Sequence, residues 1–168
     1  MSDYVITTDS NSDVLPEFIE ENHLTVIPQY YAFGDTVYGD ELNMAPHEFY
    51  ETMRNGELPK SMANNPAVIR ERFEQILKEG KNILHVAFSS ALSGSCNNVM
   101  MTAGELLEKY PERKIRVFDS LNASLGEGVS VYRAVELQKE GKSMDDVYDI
   151  LMEERDHVNV CFTVNDLY

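Results

Sequence analysis

The segment from Asn82 to Ser95 constrains the fold more than any other stretch of the chain. A short apolar run ends at Phe88 and gives way to small residues, mostly serines, and a long run of helix-forming residues then extends to Lys109. This order is typical of a buried strand, a tight loop and the first turn of a helix. The first N–H groups of a helix lack partners within it and carry partial positive charge. The serines therefore predict a place for a carboxylate or a phosphate, although Ser93 as an N-cap explains them equally well.

Strand and helix signals alternate along the rest of the chain. Strands are predicted at 4–10, 82–88, 115–118 and 158–164, and an extended stretch at 24–33 leads into a hairpin at 30–38. Helices are predicted from Val14 and at 46–54, 67–78, 94–109, 123–139 and 143–155, with a polar loop at 56–66. This alternation predicts a three-layer α/β/α fold with a largely parallel sheet, in one domain over residues 1–168. We expect strands 4–9, 82–88 and 115–118 to lie side by side and parallel, since each crossover has room for a helix.

The charge of the chain excludes one class of partner. With 14 basic and 29 acidic side chains, the net charge is −15. Such a surface repels a polyphosphate backbone, which proteins bind through clustered Lys and Arg, so nucleic-acid binding is not expected. No apolar run is long enough to span a bilayer, and no signal peptide opens the chain. We therefore expect a cytoplasmic protein with at most transient membrane contact.

Three of the predicted strands end in similar polar residues. The pairs are Asp9-Ser10, Ser89-Ser90 and Asp119-Ser120. Because ligands of open α/β sheets bind beyond the carboxyl ends of the strands, these residues predict the rim of a site for a small anionic or polar head group. The alternative is that turns favour Ser and Asp in any case.

Other chemistries have weaker signals. Gly126-Glu127-Gly128 resembles part of a dinucleotide-binding fingerprint, but the third glycine and the preceding strand are missing. The four histidines show no metal-ligand spacing, so no metal is expected, and the two cysteines do not suggest a disulfide framework. A small hydrolase or transferase that uses Ser93 as nucleophile and His85 as base stays open, as does a structural domain without a ligand.

Six short motifs occur in a specific order along the chain. They are Thr8-Asp9-Ser10-Asn11-Ser12-Asp13, Val26-Ile27-Pro28, Tyr38-Gly39-Asp40, Leu58-Pro59-Lys60-Ser61, Ser89-Ser90-Ala91-Leu92-Ser93-Gly94-Ser95, and Val117-Phe118-Asp119-Ser120 followed by Ser124 and Gly126. In this order and spacing they resemble the DegV family, which includes the fatty-acid-binding subunits (FakB) of bacterial fatty-acid kinase. The resemblance covers essentially the whole chain.

The resemblance implies a lipid-binding protein that holds a long-chain fatty acid by its carboxylate and is not itself an enzyme. Carried over by motif, the carboxylate-binding hydroxyls are those of Ser61 and Ser93, helped by the backbone N–H groups of Gly94 and Ser95. Neutral donors at a helix N-terminus bind a carboxylate through charge-assisted hydrogen bonds. They also leave its oxygen approachable by a kinase partner. No cofactor is implied other than the bound fatty acid.

The chain departs from the family pattern in two places. Ser61 stands where threonine is usual, and Met62-Ala63-Asn64-Asn65 replaces a common S-Q-P-S. The sequence also ends where the family enters a second domain, so we expect this chain to be the first of two domains with the acyl tail between them. On its own it is then expected to expose apolar surface and to self-associate.

Overall fold

A computed structural model describes residues 3–161 and residue 163. The strands are β1 Tyr4–Asp9, β2 Thr25–Ile27, β3 Tyr30–Phe33, β4 Thr36–Tyr38, β5 Lys60–Met62, β6 Asn82–Ala87 and β7 Ile115–Asp119. The helices are α1 Pro16–Glu21, α2 Pro46–Arg54, α3 Pro66–Lys78, α4 Ser95–Lys109, α5 Leu125–Lys139 and α6 Met144–Glu154. Short 3-10 turns lie at Ser10–Ser12 and Arg155–His157. The helix bounds agree with the predicted ones to within about two residues, the usual uncertainty of a helix end.

Four strands form a parallel sheet in the order β2-β1-β6-β7. Thr8 lies beside Val86, and Val86 lies beside Phe118, so β1, β6 and β7 are aligned across the sheet. The prediction that these three strands are parallel neighbours is therefore confirmed. Their carboxyl ends meet at one edge, which places the loops after β1, β6 and β7 next to one another.

Helices cover both faces of the parallel sheet, because successive side chains of a strand point to opposite faces. Ile6, Val86 and Phe118 pack with buried residues of α5 and α6 in one hydrophobic cluster. Ile27 and Ile83 pack with buried residues of α3 and α4 in a second cluster on the other face. The predicted three-layer α/β/α fold is confirmed.

A second, antiparallel sheet has the order β4-β3-β5. Its β3–β4 part is the predicted hairpin, which turns at Gly34 with φ +55°. The prediction of a polar loop over 56–66 was wrong at its centre, because β5 lies there and pairs Ser61 with Tyr31. All three residues of β5 are exposed, so the strand has no alternation of buried and exposed positions that sequence periodicity could detect.

The predicted strand at 158–164 is not found in the residues that the structure describes. Residues 158–161 and 163 have no strand assignment, and 162 and 164 lie outside the described residues. The β-branched composition of this segment is a weak guide to a strand without a neighbouring strand to pair with. Within the described residues, no helix has both the length and the apolar character needed to cross a bilayer.

Candidate functional site

Four of the predicted rim residues join the loops after β6 and β7. The backbone N–H of Ser90 donates to the Asp119 carboxylate at 3.1 Å, and its hydroxyl donates to the other carboxylate oxygen at 2.5 Å. The N–H of Ser89 donates to the carbonyl oxygen of Asn122 at 3.0 Å. Ser120 Oγ accepts from the N–H of Asn122 at 3.2 Å. The structure brings these residues together in loop hydrogen bonds, and a contact with a ligand stays a prediction for them.

Asp9, a fifth rim residue, is fully buried under this edge of the sheet. One carboxylate oxygen accepts from Gln29 Nε2 at 3.0 Å and from Asn64 Nδ2 at 3.4 Å. The other accepts from the N–H of Phe88 at 2.8 Å and lies 3.7 Å from His85 Nε2. Burial alone would raise the pKa of Asp9, but the nearby His85 and the hydrogen bonds that the carboxylate accepts outweigh burial, and the pKa lies below its ordinary value.

His85 is enclosed in the core and does not contact Ser93. Its Nδ1 lies 2.8 Å from Thr7 Oγ1, its Nε2 faces Asp9, and its side chain has no exposed area. The hydroxyl of Ser93 lies against Ser95 instead. A hydrolase that used Ser93 would need its base within hydrogen-bond reach of Ser93 Oγ, so this geometry does not favour that alternative.

The serines at the start of α4 bond to each other and to the rest of the edge. Ser93 Oγ lies 2.9 Å from Ser95 Oγ and accepts the Ser95 N–H at 3.2 Å. Ser95 Oγ donates to Gln29 Oε1 at 2.8 Å. The residue at the N-cap is Gly94, not Ser93, so the N-cap alternative was wrong in position. Ser93 nevertheless stabilises the first turn through its bond from the Ser95 N–H.

An open cleft of about 610 Å³ lies beside this edge, between the antiparallel sheet and α2. Ser10, Gln29 and Ser61 contribute neutral polar groups to its lining. Tyr31, Phe49 and Tyr50, which we call the aromatic wall, also line it. The ring centroid of Phe49 lies 5.1 Å from that of Tyr31 and 5.4 Å from that of Tyr50, edge-on in both pairs. A volume of this size and a mixed apolar and polar lining are typical of small-molecule sites.

Of the two loops predicted to bind the carboxylate, one lines the cleft and the other does not. Ser61, on the exposed strand β5, lines it, whereas Ser93, Gly94 and Ser95 are not among its lining residues. Gln29 connects the two regions, because it lines the cleft and also accepts from Ser95. Asp13 is the one acidic residue in the lining, which contains no Lys, Arg or His.

The sequence reasoning missed Gln29 and Asn64. Ile27 pairs beside Asp9 in the parallel register, so Gln29 follows two residues beyond that pair and reaches the carboxylate. Asn64 reaches it from the loop after β5. A lone Gln or Asn in a loop has no periodic or motif signal. The strand register reveals Gln29, and only the path of the loop after β5 reveals Asn64.

The glycines at 126 and 128 have a packing explanation. A Cβ on Gly128 would lie 2.5 Å from the carbonyl oxygen of Ser12, and a Cβ on Gly126 would lie 2.8 Å from Asn122 Oδ1. Both glycines therefore let α5 approach the loops closely. Glu127 between them is fully buried and accepts from Thr8 Oγ1 at 3.0 Å. Burial, reinforced by the charge of Asp9, raises the pKa of Glu127 to about 9.

Cys96 has the surroundings of a buried thiol rather than of a reactive one. Burial, with the charges of Asp119 and Asp9, raises the pKa of the Cys96 thiol to about 12, which disfavours a thiolate. Within residues 3–161 and 163, no group of His, Cys, Asp and Glu side chains is arranged to hold a metal ion.

The fold and the site together define an α/β protein with neutral hydrogen-bond donors and a cleft at the carboxyl edge of a parallel sheet. A family model described as "Uncharacterised protein, DegV family" matches residues 3–168. The chain belongs to the DegV family.

Relatives with known sequences and structures agree with this assignment. A DegV domain-containing protein of Clostridium perfringens is 36% identical over 169 residues, which cover 99% of this chain and 58% of the relative. A fatty-acid-binding DegV family protein from Thermus thermophilus is 29% identical, with a TM-score of 0.81, over 91% of this chain and 53% of that one. A DegV lipid-binding protein from Thermotoga maritima is 26% identical, with a TM-score of 0.79, over 94% and 55%. The chain thus spans little more than half the length of these relatives.

Proposed function

We propose that this protein binds a long-chain fatty acid, with the carboxylate near Ser61, Ser93 and the start of α4 and the acyl chain along the aromatic wall. The observation that carries the proposal is the cleft itself, whose lining combines neutral hydroxyls and amides with aromatic rings. A fatty acid likewise combines a polar head with an apolar chain. The relatives described as fatty-acid-binding and lipid-binding support this ligand class.

The charge around the cleft suits capture by hydrogen bonds rather than by ion pairs. The net charge of −15 repels an anion at long range, and no Lys or Arg is among the lining residues. Serine hydroxyls and the backbone N–H of Gly94 would therefore hold the carboxylate through charge-assisted hydrogen bonds, and the N–H of Ser95 would act through Ser93 Oγ, to which it donates. We propose no catalytic step, because the ligand would be bound and not converted.

The experiment is titration of the delipidated protein with oleate. We expect Ser93→Ala and Ser61→Ala each to weaken binding by about 1.5–3 kcal/mol, the scale of one hydrogen bond to a charged group. Ser90→Ala is the matched control, because its hydroxyl is engaged by Asp119, and it should weaken binding less.

A further variant separates binding from stability at Ser93. Ser93 Oγ also stabilises the first turn of α4, so its loss is expected to cost about 1 kcal/mol of folding stability as well. Because Ser93 precedes the Gly94 N-cap, urea unfolding of Ser93→Ala and Ser93→Gly measures the loss of stability separately from the loss of oleate binding. If Ser93→Gly binds oleate as tightly as the parent, the carboxylate anchor lies elsewhere and the proposal fails at this residue.

We also propose that a second domain covers the acyl chain and that the bound carboxylate is presented to a fatty-acid kinase in the cytoplasm. The greater length of the relatives supports the first point, and so do Leu92 and Leu121, which are exposed on adjoining loops at the carboxyl edge. Sedimentation should then show self-association of this chain that increases with its concentration. A monomer at all concentrations, with no binding of an apolar dye, would count against a covering domain.

A further inference from the structure

Four residues from four separate segments form a closed ring of hydrogen bonds beneath the candidate site. Asp9 Oδ1 accepts from Gln29 Nε2 at 3.0 Å and from Asn64 Nδ2 at 3.4 Å. Ser95 Oγ donates to Gln29 Oε1 at 2.8 Å and accepts from the Asn64 N–H at 3.3 Å. We call Asp9, Gln29, Asn64 and Ser95 the hydrogen-bond ring.

The ionised Asp9 gives the ring one direction. A carboxylate only accepts hydrogen bonds, so Gln29 must turn its amide NH2 toward Asp9 and its oxygen toward Ser95. The reverse orientation would place two oxygens against each other. Ser95 must therefore donate its one hydroxyl proton to Gln29.

The hydroxyl of Ser95 is consequently committed to protein partners. A serine hydroxyl has one donor and two acceptor positions. The donor serves Gln29, and the acceptors receive the Asn64 N–H and the Ser93 hydroxyl, which lies 2.9 Å away. Because Ser95 is fully buried and Ser93 is partly exposed, Ser93 has the hydroxyl proton that can turn toward a ligand.

The ring also ties together the two loops that carry the proposed anchors. Asn64 lies three residues after Ser61, and Ser95 lies two residues after Ser93. Besides its N–H bond to Ser95, Asn64 accepts at its carbonyl oxygen from Asn98 Nδ2 of α4 at 3.0 Å. The separation between the Ser61 and Ser93 loops therefore depends on these bonds.

We propose that the hydrogen-bond ring positions Ser61 and Ser93 so that both hydroxyls reach one carboxylate at the same time. This inference rests on the proposed function. Its members are positioning residues, because they act through the two anchors rather than through the ligand. Two donors that are held in the correct geometry before binding increase the affinity for the ligand. Binding then does not carry the entropic cost of ordering those donors.

The test is a double-mutant cycle, measured by titrating the delipidated 168-residue protein with oleate. Ser95→Ala opens the ring on both sides of Ser95 but keeps its backbone N–H. We expect it to weaken oleate binding about tenfold, which is about 1.4 kcal/mol. In a Ser61→Ala background only one anchor remains to be aligned, so the same change should weaken binding less than about threefold.

A second variant keeps the test valid if Ser95→Ala does not fold. Gln29→Met has nearly the same shape without the hydrogen bonds and should reproduce both effects, whereas Gln75→Met, on the exposed face of α3, should change neither. Urea unfolding measures the loss of stability of each variant. A loss of oleate binding that comes from lower stability alone is expected to be equal with and without the Ser61 hydroxyl.

The outcomes separate the two proposals. Suppose that the parent binds oleate, and that Ser95→Ala or Gln29→Met weakens this binding equally with and without the Ser61 hydroxyl, or does not weaken it at all. The positioning inference is then overturned, while the proposed function stands. If the parent shows no saturable binding of oleate, the proposed function fails and the inference fails with it.

Discussion

Two buried carboxyl groups at the end of strand β1, one on β1 and one packed against it, differ in ionisation at neutral pH. Asp9 and Glu127 both have no exposed area, and the alternation of β1 places their surroundings on opposite faces of the sheet. Asp9 has a lowered pKa because the neighbouring His85 and the hydrogen bonds from Phe88 and Gln29 together outweigh its burial. Glu127 has a pKa of about 9 because burial and the charge of Asp9 outweigh the bonds from Thr8 and from the Asp9 N–H. Since both carboxyls are fully buried, the donors and charges around each one decide which of them is ionised at neutral pH.

The difference separates a site from a packing contact. The Asp9 carboxylate accepts hydrogen bonds from Gln29 and Asn64, which lie at the carboxyl edge of the sheet near the cleft. Glu127 lies in the first turn of α5, and its Oε2 has no hydrogen-bond partner among the described residues. A charged Asp9 therefore organises polar side chains, whereas a neutral Glu127 fills space between a helix and the sheet.

The largest effect is expected from Asp9→Ala. Removing the carboxylate leaves the buried donors of Gln29, Asn64 and Phe88 without their acceptor. We expect the free energy of unfolding at pH 7 to fall by about 3–5 kcal/mol, measured by urea denaturation. Because the folded pKa of Asp9 is lowered, this contribution is present above its unfolded pKa and is lost as the pH falls through the folded value.

The matched control for this change is Asp149→Ala, on the exposed side of α6. It should alter the unfolding free energy by less than about 0.5 kcal/mol. Equal effects of the two substitutions would show that Asp9 is not the centre of a buried network.

The second effect is expected from Glu127→Gln, and it has the opposite sign. Since the pKa of Glu127 is raised to about 9, the folded state holds a proton that the unfolded state has lost above about pH 4.5. The parent should therefore lose about 1.4 kcal/mol of stability per pH unit from this group as the pH rises toward 9. Glu127→Gln cannot ionise and should be more stable than the parent at pH 8 by about 2–4 kcal/mol, with no such gain at pH 4.

Urea denaturation from pH 4 to pH 9 measures this slope. Glu153→Gln, at an exposed position of α6, provides the control and should follow the parent at every pH. If the pH dependence of Glu127→Gln and of the parent is parallel, Glu127 is ionised in the folded protein and the comparison with Asp9 fails.

The smallest effects on stability are expected from substitutions of Thr7 and Thr8, which are neighbours in β1 and face opposite sides of the sheet. Thr7 bonds to His85 Nδ1 on the Asp9 side, and Thr8 donates to Glu127 on the other side. Thr7→Val and Thr8→Val should each reduce stability at neutral pH by about 1 kcal/mol, since each removes one buried hydrogen bond at nearly constant volume. Thr8→Val should also extend the alkaline loss of stability to higher pH, because the Thr8 hydroxyl lowers the pKa of Glu127, whereas Thr7→Val should not.

Much of the fold follows from local pattern. The apolar run at 82–88 and the alternation of strand and helix signals predict the parallel sheet, and α2 begins and ends at the predicted residues. These features depend on neighbours within a few positions, so the sequence displays them directly. The strand β5 does not, since its three exposed residues form a strand only because β3 presents an edge to them.

The candidate site divides in the same way. The sequence by itself determined that serines lie at the start of a helix beside the carboxyl ends of parallel strands, because that arrangement needs only local order and the handedness of the crossovers. Only the tertiary structure decided that Ser95 is committed to Gln29 and Asn64, that Asp9 is charged and that Glu127 is neutral. Each of these properties depends on donors from segments distant in the sequence, and a donor's position in space appears only when the strands are in register.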